Sequence, residues 1–300
     1  MPKCRILAMV ALLVAGVTTL RAQPVSNDIL FNGNATILVE ADQPAPVRHA
    51  AEDLASDMRK VFGKAPQIVA RAQDGGPVVI ALGNEATGAP ADHDSTPEAF
   101  SITSGPVTLD NARTVQVIRL AGADMRGTLY AIYQFSQDVL GVDPMYYWTD
   151  HEPAHQTAIH LPARLDRRFA PPVFRYRGFF INDEDLLTGW APGEATDHTG
   201  ISLEVWNKIF ETILRLKGNM VVAGTWPFAN EPQDRLVAER GLLLNQHHAT
   251  PVGVNFSRWP ADVPYNLTND PQYIENAWKN AVAAYPVDQQ ILWEVGLRGL

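Results

Sequence analysis

Amide, carboxylate, imidazole and guanidinium side chains follow short apolar runs at four places in the second half of this 300-residue sequence. Phe179-Phe180-Ile181 breaks into Asn182, Asp183, Glu184 and Asp185, and Met220 to Ala223 leads to Thr225 and Trp226. Leu242 to Asn245 is followed by Gln246, His247 and His248, and Ile291 to Val295 by Gly296-Leu297-Arg298-Gly299. If each run is a parallel strand, these side chains gather at the C-terminal strand ends, where parallel α/β folds place their ligands. Such a set suits a sugar. An aromatic face stacks on the ring, amide and carboxylate groups meet hydroxyls, and an arginine grips an anionic substituent with two hydrogen bonds. The substrate-binding candidates are therefore Asn182, Asp183, Glu184, Trp226, His247, His248 and Arg298, with Asp183 the candidate catalytic carboxylate. Two blander readings stand beside this one: an acidic turn capping the next helix at 182–185, and an ordinary loop pair at His247-His248. A metal site built from either histidine with Asp183 is disfavoured, because adjacent histidines rarely aim the same way, so no metal is expected.

Helices must join those strands. Ser202 is a plausible N-cap, with Leu203, Trp206, Ile209, Phe210, Ile213 and Leu214 on one face and Gly218 at the end. Pro232 to Arg240 and Pro271 to about Tyr285 supply two more helices. Alternating strand and helix predicts a (β/α) barrel, which needs about 250 residues. Residues 166–300 therefore read as the first part of a truncated barrel. The fold class expected is α/β: an N-terminal α+β domain followed by the first half of a (β/α)8 TIM-type barrel. The first domain spans 24–165, with a strand at Ala35 to Glu40, a helix at Val47 to Phe62 and a buried strand at Val78 to Leu82. Phe100 to Ile102, Val107 to Leu109 and Val115 to Leu120 read as three strands separated by Ser104-Gly105 and Asp110-Asn111, before a helix from Asp124 to Leu140. Titratable groups do not cluster there, which suits a non-catalytic α/β domain. From Val142 the chain is spaced by Pro153, Pro162, Pro171 and Pro172 and reads as linker. Tyr146-Tyr147-Trp148 suits interdomain packing, with a sugar-stacking platform as the alternative.

Composition narrows the partners. The chain is 46% hydrophobic, enough for a real core, and carries a formal charge of −9. Lys3 and Arg5 precede an apolar run from Ile6 to about Leu20, so residues 1–22 read as a signal peptide cleaved near Ala22 and the protein as secreted or periplasmic. A membrane anchor is the alternative, though the run is short for a span and Arg21 closes it. Removing Lys3, Arg5 and Arg21 leaves a mature chain of −12. The only cysteine, Cys4, leaves with the signal, and with it any disulfide or thiol chemistry. An acidic surface without a basic cluster excludes nucleic acid, and no membrane partner is expected after signal cleavage. Nucleophile elbow, phosphate loop and dinucleotide motifs are absent, so no cofactor is expected. Self-association into a homodimer stays open.

In combination, RGTLYAIYQFSQDVLGVDPMYYW, YRGFFINDED, WNKIFETILRLKGNMV, the histidine-bearing end of the third strand, and GLRG resemble the xylan α-1,2-glucuronidases of glycoside hydrolase family 115, in order from about Asn34 to Leu300. The resemblance implies a non-catalytic α/β domain, then a barrel that removes glucuronic acid or its 4-O-methyl ether from xylan, with inversion and no required cofactor. It implies substrate contacts at Asn182, Asp183, His247 and Arg298, and a partner that is a polysaccharide or oligosaccharide bearing uronic acid. The general acid is then expected beyond Leu300, and the 300 residues alone are expected to be inactive. Inversion needs two carboxyls roughly 6.5–9.5 Å apart. Two departures stand out: Ala249-Thr250-Pro251 where the family typically has Glu-Pro after the histidines, and Trp226-Pro227 where a longer tryptophan-rich stretch is usual. The competing classes are a catalytically inactive carbohydrate-binding relative and a hexosaminidase-like glycosidase.

Overall fold

The structure, a computed structural model, describes residues 28–83, 95–182, 201–225, 231–268 and 270–296. The signal-peptide reading of residues 1–22 lies outside these residues. The first part contains β1 (Ile29–Phe31), β2 (Thr36–Leu38), helix α1 (Ala45–Phe62), β3 (Gln67–Val69), β4 (Val78–Leu82), β5 (Phe100–Thr108), β6 (Thr114–Gly122), α2 (Met125–Phe135), the short α3 (Tyr146–Thr149), β7 (Ile159–Leu161) and β8 (Asp166–Phe169). Six strands form one sheet in the order β3-β2-β4-β6-β5-β8, and β1 pairs with β7 in a separate antiparallel ribbon. Strands β3, β2, β4 and β6 are mutually parallel, whereas β5 runs antiparallel to both of its neighbours, β6 and β8. This is a mixed α/β sheet with a parallel centre.

Alternation explains how its two faces are filled. Ile37, Ile80, Leu82, Ile118 and Leu120 lie in the large core with α1 and α2, while Leu38, Val79, Ala81 and Val117 form a smaller cluster on the opposite face. Both faces are covered, so the central strands read as unbroken apolar runs. Helix α1 ends at Gly63, whose φ of 73° is left-handed, and α2 starts at Asp124, whose carboxylate accepts the Gly127 N–H at 2.7 Å. Such caps satisfy backbone groups that a helix end leaves without partners.

Two readings of the first part need correction. Ser104-Gly105 is not a turn: β5 pairs with β6 over its whole length. Pairing with β8 stops at Thr103, and the Ser104 hydroxyl instead meets the carbonyls of Pro162 and Ala163, so Pro106 sits where β5 is an edge, the position in which a strand tolerates proline. The proline-spaced stretch after Val142 is not simple linker either. It contributes β7, and β8 at 166–169 belongs to the first sheet although the sequence reading places it in the second part.

The second part contains β9 (Gly178–Phe180), α4 (Leu203–Arg215), β10 (Met220–Val222), α5 (Pro232–Glu239), β11 (Leu243–Asn245), α6 (Pro271–Ala284) and β12 (Ile291–Leu292). The four strands form one parallel sheet in the order β12-β11-β10-β9. Each step between neighbours carries a helix, the arrangement that parallel crossovers require. Gly178 permits the close approach of β9 to β10, since a Cβ there would lie 1.9 Å from the Met220 carbonyl oxygen. Phe179 and Phe180, read from the sequence as buried, are 51% and 48% exposed, because β9 is the edge of this sheet with β10 its one neighbour among the described residues.

One apolar core joins both parts, running from α1 and α2 through Trp206, Phe210 and Leu214 of α4 to Val221 and Leu244. A charged network lies within the same contact. The Arg215 guanidinium reaches Asp57 at 2.7 Å and Glu211 at 2.8 Å, and Ser136 donates to Asp57 at 2.6 Å. Tyr146 donates to Glu211, and the Trp148 indole N–H donates to Thr212 at 2.7 Å, so two of the three aromatic residues at 146–148 pack the first part against α4. Burial pushes the Glu211 carboxyl up, but the charges of Arg215 and Lys208 outweigh that and hold it below its ordinary value.

Candidate functional site

The C-terminal ends of β9, β10 and β11 place the residues singled out from the sequence on one side of the parallel sheet. After β9, the Ile181 N–H donates to the Val222 carbonyl at 3.1 Å, which carries the pairing one residue beyond the strand and leaves Asn182 exposed at its end. After β11, the His247 ring lies against Phe180 of β9, with centroids 5.1 Å apart and planes 20° from parallel. The His248 ring is 3.9 Å from that of His247. Strand β10 lies between β9 and β11, so this stack bridges two strands that do not pair with each other. His247 is 9% exposed, whereas His248 faces solvent.

Hydrogen bonding sets the orientation of His247. Its Nδ1 accepts the Ala249 N–H at 3.2 Å, so the neutral ring carries its proton on Nε2. The histidine can thus present an N–H donor beside an aromatic face, a pairing that suits a sugar hydroxyl next to an apolar ring face. Asp183, Glu184, Trp226 and Arg298 lie outside the described residues. Of the expected set, the described residues hold Asn182 at the end of β9 and His247 and His248 after β11, where the two histidine rings stack together with Phe180, a residue read from the sequence only as part of the strand.

The ties between the loops at these strand ends were not read from the sequence. Asn255 is completely buried and ties the loop after β11 to the end of β10, donating to the Thr225 carbonyl at 2.8 Å and to the Thr250 hydroxyl at 3.3 Å. Thr250 occupies one of the two positions where the sequence departs from the resembled family, so here that position is structural. The Gln246 side chain accepts the Glu294 N–H at 3.2 Å and Val252 donates to the Glu294 carbonyl at 2.8 Å, which joins the loop after β11 to the end of β12. Val252 has φ 49°, an uncommon conformation for a β-branched residue, of the kind that costs on the order of 1–3 kcal/mol and persists only where neighbours enforce it. Asn255 carried no signal, being one polar residue in a loop. Glu294 did carry one: a carboxylate in the run read as the strand Ile291 to Val295, which in fact ends at Leu292.

The opposite end of the sheet is closed by charge and amide contacts. The Arg177 guanidinium donates to Glu98 at 2.7 Å, to the Tyr130 hydroxyl at 2.9 Å and to the Lys217 carbonyl at 2.7 Å. Asn219 donates to Glu98 at 2.8 Å and to the Arg175 carbonyl at 2.7 Å. Among the described residues, no group of three or more His, Cys, Asp or Glu could hold a metal ion, and no helix is long and apolar enough to cross a membrane.

A parallel sheet with polar and aromatic side chains at its C-terminal edge is the layout of an α/β enzyme whose site sits on strand-end loops. Residues 170–300, the stretch that carries all four of these strands, match the model of Glycosyl hydrolase family 115, and in that stretch the chain resembles the family. Comparison with the curated proteins gave no match. Among solved structures, the chain is similar to BtGH115A, a family GH115 4-O-methyl-α-glucuronidase with specificity for decorated arabinogalactans, with a TM-score of 0.73 at 23% identity over 91% of this chain. This chain spans 37% of the length of that one. A Streptomyces plicatus N-acetyl-β-hexosaminidase gives a TM-score of 0.45 at 12% identity over 73% of this chain and 42% of that one, too low to carry an argument.

Proposed function

We propose that this chain is part of a glycoside hydrolase that removes glucuronic acid or 4-O-methylglucuronic acid side chains from a polysaccharide, by inversion. The observation that carries this reading is the family match over 170–300, the same stretch whose strand ends hold Asn182, His247 and His248. In this reading the four-stranded parallel sheet is the first half of a (β/α)8 barrel, and residues 24–165 are a non-catalytic α/β domain. His247 donates Nε2–H to a substrate hydroxyl while the sugar ring lies on the aromatic face beside it. Asp183 and Arg298 complete the pocket, the arginine gripping the uronate carboxylate with its two-pronged donor set. The protein is exported, which gives it access to plant polysaccharide.

Xylan is the polymer that the sequence resemblance implies, and decorated arabinogalactan is the polymer attached to the similar solved structure. The test compares uronic acid release by the native polypeptide from glucuronoxylan, from decorated arabinogalactan and from a small aryl glucuronoside, with the matching neutral glucoside as control. Release from a uronoside but not from the glucoside is the expected result, and Arg298→Lys should lower that discrimination about ten- to a hundredfold, the worth of a charge-assisted contact. Binding without release from any of the three would overturn hydrolysis in favour of a carbohydrate-binding relative.

A further inference from the structure

We propose that the groove between the loop after β11 and helix α6 is a second carbohydrate subsite, which takes a neutral pyranose unit of a polysaccharide chain next to the strand-end site. The inference rests on the proposed action on polysaccharide and extends it to residues outside the pocket.

The groove encloses about 400 Å³, within the roughly 300–1,000 Å³ typical of small-ligand sites. Trp259 and Tyr273 line it together with the small residues Ala277 and Ala281 of α6, and Arg258 and Asn280 supply its polar groups. The aromatic wall is held in place before any ligand arrives. The Trp259 indole N–H donates to the Val263 carbonyl at 2.8 Å, and the ring meets Tyr265 and Tyr273 edge to face at centroid distances of 4.9 and 5.2 Å. Tyr273 sits in the first turn of α6, where its N–H is fixed by Asp270 at 3.0 Å, yet 41% of it remains exposed. Ring orientation is thus set while much of Tyr273 stays accessible, so little conformational entropy is lost on binding.

Chemistry selects the ligand. Aromatic faces and alanines bury the C–H face of a pyranose, and the Asn280 amide can both donate to and accept from a hydroxyl. Arg258 is ion-paired with Glu231, so the groove lacks the unbalanced positive charge that would select a uronate. A neutral backbone sugar is therefore the better fit. Continuity along one loop places the groove usefully. The segment that starts with His247 and His248 is tied back to β10 by Asn255 and reaches Trp259 only four residues later, so the two sites lie on one loop.

The test measures affinity of the native polypeptide for uronic-acid-free arabinoxylan by retardation in polymer-containing native gels, and for neutral xylo-oligosaccharides by calorimetry. Tyr273→Ala should weaken binding about threefold to tenfold, the worth of one aromatic contact, while Tyr273→Phe, which keeps the ring, should bind as the parent does. Hydrolysis of a small aryl glucuronoside should be unchanged in both, because Tyr273 lies outside the strand-end site. Absence of binding to the neutral polymer, or equal binding by Tyr273→Ala and the parent, overturns the subsite. An equal loss of small-substrate hydrolysis in Tyr273→Ala would also overturn it as a separate site. If the native polypeptide releases no uronic acid yet shows Tyr273-dependent binding, the hydrolase reading fails while the subsite stands.

Discussion

The two ends of the parallel sheet are built on opposite terms. At the N-terminal ends of β9 and β10, Glu98, Tyr130, Arg177 and Asn219 hold one another in a partly buried set of charged and amide contacts drawn from both parts of the chain. At the C-terminal ends, Asn182 and His248 face solvent and half of Phe180 is accessible. Polar groups at one end are satisfied by the protein itself, and those at the other can still meet a ligand. In parallel α/β enzymes residues at the first end serve stability and those at the second serve chemistry, and the division here follows that pattern.

Breaking the buried side should cost the most. Arg215 is only 2% exposed and bonds to both Asp57 and Glu211, so Arg215→Met leaves Asp57 buried without its cation and Glu211 with Lys208 alone. A loss of about 3–5 kcal/mol is expected. Chemical denaturation checks it, and a loss under about 1 kcal/mol would show that the network contributes little. Next comes Arg177→Ala, which opens the N-terminal end of the sheet. Its side chain is 18% exposed and that of Glu98 is 12%, so solvent offsets part of the effect and about 2–3 kcal/mol is expected. Turnover per folded molecule should not change. A fall in turnover at unchanged folded fraction would contradict the division between the two ends.

His247→Ala tests the other side. Stability should fall by about 1 kcal/mol or less, because one ring stack and one backbone contact are lost, while uronoside turnover should drop at least tenfold, or about 1.4 kcal/mol. His248→Ala, which removes the exposed neighbour, should cost less. Equal losses in the two variants would mean that the orientation of His247 is not what matters.

How much of this was legible depends on where the signal lies. Val78–Leu82 was read to the residue, because a fully covered parallel strand shows an unbroken apolar run between turn residues. Phe179 and Phe180 gave the same signal and were misread as buried, because an apolar run does not say whether its strand has neighbours on both sides. Strands β7 and β8 were hidden among prolines that local preference assigns to linker, while long-range pairing with β1 and β5 decides their structure. At the site, the strand ends were legible and the ties between loops were not: Asn255 and Gln246 act through partners 30 and 48 residues away, which no local pattern encodes. The end of α4 shows the same limit. Gly218 was read as its terminator, yet the left-handed residue is Lys217, at φ 62°; glycine is needed at 218 because a Cβ would lie 2.5 Å from an Ile213 methyl.

That end also offers the smallest change, and one in the opposite direction. Lys217 adopts a left-handed conformation that disfavours every residue with a Cβ, and it sits in a partly buried place where its amine donates to the Arg215 carbonyl at 3.1 Å. Burial lowers its pKa from 10.5 to about 8, with Asp138 opposing the shift and the Arg215 charge adding to it. The folded-state value lies below the unfolded one, so folding releases a proton between these two pH values and stability rises with pH across that window. Below about pH 8 the cost of burying the charged amine is present in full. Lys217→Gly removes both the backbone strain and that cost, and it should stabilise the fold by about 1 kcal/mol at pH 7 from the backbone alone. The gain over the parent should be largest at pH 7 and shrink as the pH is raised from about 8 towards 10.5, where the parent's amine is neutral in either state. Denaturation midpoints of the two proteins at pH 7, 8.5 and 10 decide it. A gain independent of pH would leave only the backbone contribution, and a loss of stability at pH 7 would mean that the contact to Arg215 outweighs both.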